Sequence, residues 1–124
     1  MFAKSHRDLD VYKLAFSSAI EIFEMTKTFP VEEKYSLIDQ VRRSSRSVCA
    51  NLAEAFRKRK YEKHFISKLS DCEAEAGETQ VWMEFALAHH YIDLNTFDIF
   101  FDKYEHIISM LVKMQNNAHK WVIK

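Results

Sequence analysis

The chain reads as an all-α protein, an antiparallel up-down-up-down four-helix bundle, on three observations. Among its 124 residues it has one glycine and one proline, whereas sheet proteins lean on glycine for the positive φ of their tight turns. Apolar residues recur at three- and four-residue steps in four successive stretches, the period of amphipathic helices. The breaks between those stretches are short, which makes sequential helices antiparallel neighbours.

Taken in order, the first stretch is "SHRDLDVYKLAFSSAIEIFEMTKTFP". Leu9, Tyr12, Ala15 or Phe16, Ala19, Ile20 and Phe23 form its stripe, and Asp8 and Asp10 suit the positive end of the helix dipole. Phe29-Pro30 stops it. A second helix is expected to open at "VEEKYSL", where Glu32 and Glu33 favour a first turn, with a stripe through Tyr35, Ile38, Val41, Ser45, Val48, Leu52 and Ala55 or Phe56. It ends in the basic cluster "RKRK".

The third helix, from "YEKHF" to "AHHYI", carries one seam of Phe65, Leu69, Cys72, Ala76, Thr79, Met83 and Ala86, and another of Val81, Phe85 and Ala88. Two seams imply that its later half is buried on two sides. Gly77 sits mid-helix, where glycine costs about 1 kcal/mol relative to alanine, and close approach of another backbone is the expected reason. A fourth helix, about Thr96 to Trp121, runs through Phe97, Phe100 or Phe101, Tyr104, Ile107 or Ile108, Leu111 and Met114 or Gln115. Helices of this length span roughly 30 to 40 Å. Residues 1–124 are expected to form one domain, with no repeat, low-complexity tract or long linker.

Several function classes find no support. No apolar run approaches the roughly 20 residues that cross a bilayer, and "MFAKSHRDLDVYK" lacks the apolar core of a signal peptide, so a cytoplasmic protein is expected. Cys49 and Cys72 lack C-x-x-C spacing and read as buried free thiols, with a disulfide between neighbouring helices as the lesser alternative. A di-iron bundle needs paired Glu-x-x-His motifs; none is present, and His64, His89, His90 and His106 do not match that spacing. No glycine-rich phosphate loop or nucleophile-base pair is legible. No catalytic residue, metal or cofactor is expected.

Charge is the informative feature, because a net charge of zero hides segregation. Residues 42–68 hold nine Lys or Arg against two acids, and residues 69–108 hold nine acids against Lys103 alone. One reading makes Arg42, Arg43, Arg46, Arg57, Lys58, Arg59, Lys60 and Lys63 a phosphate-binding surface for structured RNA or a ribonucleoprotein. Another pairs the basic and acidic blocks between helices or subunits, as in an interaction or assembly scaffold. Aromatic platforms for unstacked bases are not evident beside the cations. Gln40, Ser44, Ser47, Asn51 and Glu54 form a polar stripe at helical spacing, which places them either at a contact that fixes register or toward solvent.

Three strings carry a resemblance: "LDVYKLAF", "TFPVEEKYSLIDQVRRSSRSVCANLAEAF" and "EAEAGETQVWMEFALAHHYI". Phe29-Pro30, Glu33, Tyr35, Leu37, Gln40, Arg42 or Arg43, Ser47, Asn51, Ala53 and Glu54 are its specific core. Together they resemble the bacterial four-helix bundle proteins named for open reading frames in intervening sequences of 23S ribosomal RNA genes. The resemblance implies an antiparallel bundle that assembles into a ring-like homopentamer, with Gln40, Ser47, Asn51, Glu54 and Trp82 as signature or interface positions and no established reaction. A related bundle is the basic accessory protein of diversity-generating retroelements, which raises RNA binding by analogy. Two positions depart from the family pattern. Ala55 stands where glycine is common and is expected to lengthen helix 2. His90 stands where glycine often precedes the tyrosine, which is expected to leave the end of helix 3 less sharply defined.

Overall fold

A computed structural model describes residues 3–123. Four α-helices follow one another: α1 (Asp10–Thr26), α2 (Leu37–Arg57), α3 (Glu62–Ala88) and α4 (Leu94–Asn116), with short 3-10 turns at His6–Asp8, Val31–Glu33 and Ala118–Lys120. No strand occurs among the described residues. The helices run up-down-up-down, α2 packing most closely on α3, α3 on α4, and α1 more loosely across α2 and α4. The core threads all four through Val11, Ile22, Val48, Leu52, Phe65, Leu69, Met83, Tyr104, Ile107 and Leu111.

The α2–α3 contact is close because the facing residues are small. Ser44 and Thr79 are both buried, and their hydroxyls share a 2.8 Å hydrogen bond across the seam. Along α4, Phe100, Tyr104, Ile107, Leu111 and Met114 are the buried choices among the neighbouring apolar candidates. The Asp93 carboxylate caps that helix on the Thr96 amide, starting it two residues before the expected Thr96.

Five expectations are corrected. In α1 the buried seam is Leu9, Val11, Ala15, Ser18, Ala19, Ile22 and Thr26, while Phe16 (49%) and Ile20 (53%) are exposed. Two apolar stripes compete on this helix, and the one with alanine and serine allows the nearer approach to its neighbours.

The second correction concerns the start of α2, which opens at Leu37 rather than at Val31. Val31–Glu33 is a 3-10 turn, Ser36 has non-helical dihedrals, and Tyr35 is 84% exposed instead of in the stripe. Glu33 sets this corner. Its carboxylate accepts from Ser36 Oγ, from the Leu37 amide at 3.3 Å and from Tyr91 Oη at 2.8 Å. All three bonds favour its charged form, so its pKa sits below the ordinary glutamate value, through Ser36 first and Tyr91 second.

The third correction is that Val81 (42%), Phe85 (48%) and Ala88 are exposed, so the later half of α3 is buried on one side only within the chain. The fourth is Gly77. A Cβ built there meets nothing within 4 Å, so no backbone of the same chain approaches it. The fifth is the end of α3. His90 adopts φ 63°, its amide donates to Leu87 O at 3.0 Å, and the Tyr91 amide donates to Ala86 O at 2.9 Å. Those two bonds make a Schellman stop, so the helix ends sharply although a histidine occupies the left-handed position. Ala55 is buried and α2 continues through it to Arg57.

Candidate functional site

The basic block divides into two groups, because α2 carries Arg43 and Arg57 about 21 Å apart at 1.5 Å per residue. In the group at the start of α2, Arg42 is turned inward. Its guanidinium lies 4.3 Å from the Phe23 ring centroid, and its Nε donates to Thr26 Oγ1 at 2.8 Å, so it bolts α2 to α1. Arg46 is exposed and reaches the same ring at 5.4 Å. Arg43 is exposed, and its charge acts on Glu75 of α3. The Glu75 carboxyl nevertheless titrates above its ordinary range, through burial first and the neighbouring Glu78 second.

The second group sits at the turn joining α2 to α3. Arg57, Lys58, Lys60 and Lys63 are exposed there. Arg59 is half-buried and held by its own helix end: it stacks on Phe56 at 3.6 Å, donates through Nε to Phe56 O at 2.9 Å, and has its pKa lowered by burial. Its own carbonyl accepts from the Ile123 amide at 3.1 Å. His6 lies in a groove with Arg57 and Lys58, and Lys113 and Lys120 line another with Asp8. Both ends of the described chain therefore meet the α2–α3 turn, adding exposed Lys4, Arg7 and Lys120 to this end of the bundle. Sequence reading missed these three, since nothing local links residues 4 and 120 to residue 58.

The polar stripe faces α3. Asn51 donates to Ser47 O at 2.9 Å and accepts at Oδ1 from Lys68 Nζ at 3.2 Å. Lys68 also pairs with Glu54 at 3.1 Å and lies 3.7 Å from Asp71. Asn51 is half-buried and Glu54 exposed, so the two bracket one lysine of the adjacent helix and fix its register. Gln40 and Trp82 line a groove with Tyr35, Phe85 and His89 on the other half of the same seam. Ser44, Asn51 and Glu54 of the stripe thus contact α3 within the chain, through Thr79 and Lys68.

Cys49 and Cys72 are free thiols. Cys72 is buried as expected, whereas Cys49 is half-buried and lines a groove against α1; desolvation pushes its pKa up to about 11, so it is not a poised thiolate. Among the described residues no group of three or more His, Cys, Asp or Glu is placed to hold a metal ion, and no helix is long and apolar enough to cross a membrane.

Fold and site together define an all-α four-helix bundle with a cationic end. The family model described as "23S rRNA-intervening sequence protein" matches residues 7–113, and the chain belongs to that family. Among solved structures it is similar to a protein of unknown function from the S23 ribosomal protein family of Bacteroides thetaiotaomicron VPI-5482. The two are 26% identical with a TM-score of 0.77, over 86% of this chain and 95% of that one. A search of the curated proteins found no match.

Proposed function

We propose that this chain is a non-enzymatic, self-assembling helical bundle that binds structured RNA or a ribonucleoprotein through its cationic end. The observation that carries the reading is the α2–α3 turn. Arg57, Lys58, Lys60 and Lys63 are exposed there, and none is in an ion pair among the described residues. Unpaired cations clustered on a rigid turn suit phosphate oxygens, and recognition of folded RNA relies mainly on backbone and shape. The family name and the ribosomal-protein family of the structural relative support the same reading. Cytoplasmic location follows from an RNA partner, and a homopentamer from the family resemblance.

Fluorescence anisotropy on a structured ribosomal RNA fragment and an unrelated RNA, across a salt series, tests this directly. Affinity is expected to fall steeply with salt, at roughly 0.9 in the log–log slope for each phosphate neutralised on a duplex. Reversing Arg57, Lys58, Lys60 and Lys63 together to glutamate is expected to abolish binding with helicity intact. Arg42 and Arg59 are unsuitable for this test because both hold the fold. Unchanged binding by the quadruple variant would remove this surface from the reading.

A second reading, an assembly scaffold without RNA, is supported by the inward-turned Arg42 and Arg59 and by the exposed apolar residues of α1 and α3. It expects wild-type protein to assemble and to bind neither RNA at low salt.

A further inference from the structure

Two grooves meet at the corner where α2 begins and α3 stops, about 30 Å along α2 from the cationic turn. The first, of about 390 Å³, is walled by Tyr35 and Gln40 on one side and by Trp82, Phe85 and His89 of the α3 end on the other. That volume lies within the range of small-ligand clefts. Its α3 rings form a row, with Trp82 and Phe85 centred 5.9 Å apart and Phe85 and His89 stacked at 6.2 Å. The second groove, of about 410 Å³, carries Lys34, Arg43 and Arg46 against one acid, Asp39, with Arg42 also lining it. Tyr35 is exposed and lines both.

Three features choose the occupant. Aromatic faces accept a flat ring or a cation, but the exposed Lys34, Arg43 and Arg46 beside them repel a cation and attract phosphate. The indole N–H of Trp82 is buried without a hydrogen-bond partner, and a purely apolar guest would leave it so. Gln40 adds an amide that can both donate and accept. Glu33 also borders the first groove, but its carboxylate is already committed to Ser36, Leu37 and Tyr91. A flat ring with polar edges, joined to a phosphate, meets all three demands.

We propose that this corner takes one unpaired nucleotide of a folded RNA, its base against Tyr35 and Phe85 and its phosphate on Lys34 and Arg43. This rests on the RNA reading above and adds a base contact to it. Phosphate contacts set position, whereas base contacts discriminate. The cationic turn thus binds any RNA, and the corner adds a preference for loops and bulges, whose bases are free to splay out. The sequence hides this platform because Tyr35 falls there on the apolar stripe of α2. The 3-10 turn at Val31–Glu33 and the start of α2 at Leu37 leave it outside the helix.

Anisotropy at low salt on two RNAs of equal nucleotide number, a hairpin with an unpaired loop and a fully paired duplex, tests the corner. Wild type is expected to bind the hairpin at least about fivefold tighter, the least that stacking one base on an aromatic ring contributes. Tyr35→Ala and Phe85→Ala are each expected to remove most of that preference, with duplex affinity and helicity unchanged, and Tyr35→Trp to keep it. Equal affinity of wild type for the two RNAs, or a preference that survives both alanine substitutions together, would overturn the assignment. A fall in assembled mass of either alanine variant by light scattering would also overturn it, by making the corner a contact between copies. Failure of wild type to bind either RNA would instead overturn the RNA reading itself.

Discussion

His90 shows how one residue is held against its own preference. Left-handed backbone costs a residue with a Cβ about 1 kcal/mol or more, and His90 carries that cost while its neighbours complete the α3 stop. His90→Gly is therefore expected to raise stability by about 1 kcal/mol in chemical denaturation, with the helix end unchanged. Glu33 acts in the opposite direction, as a charged residue whose placement stabilises. Its folded pKa lies below the ordinary value, through Ser36 and then Tyr91. The stabilisation is thus present above the unfolded pKa near 4.5 and is lost as pH falls through the lower folded value. Glu33→Gln is expected to be less stable than wild type at pH 7, with the two converging as pH falls through the folded Glu33 value. Denaturation midpoints across a pH series check the sign. Asp8 and Asp93, each lowered by backbone amides, add acid sensitivity of the same sign to both proteins.

At the scale of elements, the pairing of α1 with α2 depends on Arg42, whose guanidinium both stacks on Phe23 and hydrogen-bonds Thr26. A cation–π contact and one hydrogen bond each contribute on the order of 1 kcal/mol. Arg42→Ala is expected to lose about 1.5 kcal/mol, whereas Arg43→Ala, an exposed neighbour, stays within about 0.5 kcal/mol. Thermal melts of the two variants separate these outcomes. The same pair shows where sequence reading stops: both arginines sit in one cationic run, and only the rotation of α2 about its axis turns one inward. Most helix bodies were legible from period alone, because a continuous apolar seam admits few registers. The seam of α1 was not. Its apolar residues wrap most of the circumference, and tertiary packing chose Val11 and Ile22 over Phe16 and Ile20. The start of α2 was also hidden, since Glu32 and Glu33 suit a helical first turn as readily as a 3-10 corner.

For the whole molecule, the consequence of the fold is that its end and its flanks differ in chemistry, cationic at one and apolar at the other. The α2–α3 turn gathers cations from residues 57–63 together with Lys4, Arg7 and Lys120, which are remote in sequence. The flanks expose apolar side chains, Phe16 and Ile20 on α1 and Val81 and Phe85 on α3. If the end binds phosphate, single neutralisations of Lys4 or Lys120 are expected to lower the salt slope of RNA binding by up to about 1 each without changing sequence preference. Anisotropy across the same salt series reads this directly, and an unchanged slope would confine the site to the turn.

The sequence by itself determined the helical class, the number and order of the helices and their antiparallel course, because glycine scarcity, apolar period and short connections are local properties of the chain; the family came from the resemblance carried by the strings around Phe29-Pro30 and Asn51. It also located the cationic run and the polar stripe. Only the tertiary structure decided what those residues do. Side chains one position apart on a helix differ by about 100° in direction, so Arg42 became structural while Arg43 stayed free, and the turn after α2 laid Arg59 on Phe56 while Arg57 stayed exposed. Likewise, Asn51 and Glu54 took Lys68 as their partner only once α2 and α3 were brought side by side, because that lysine lies on the next helix, across the turn that joins the two.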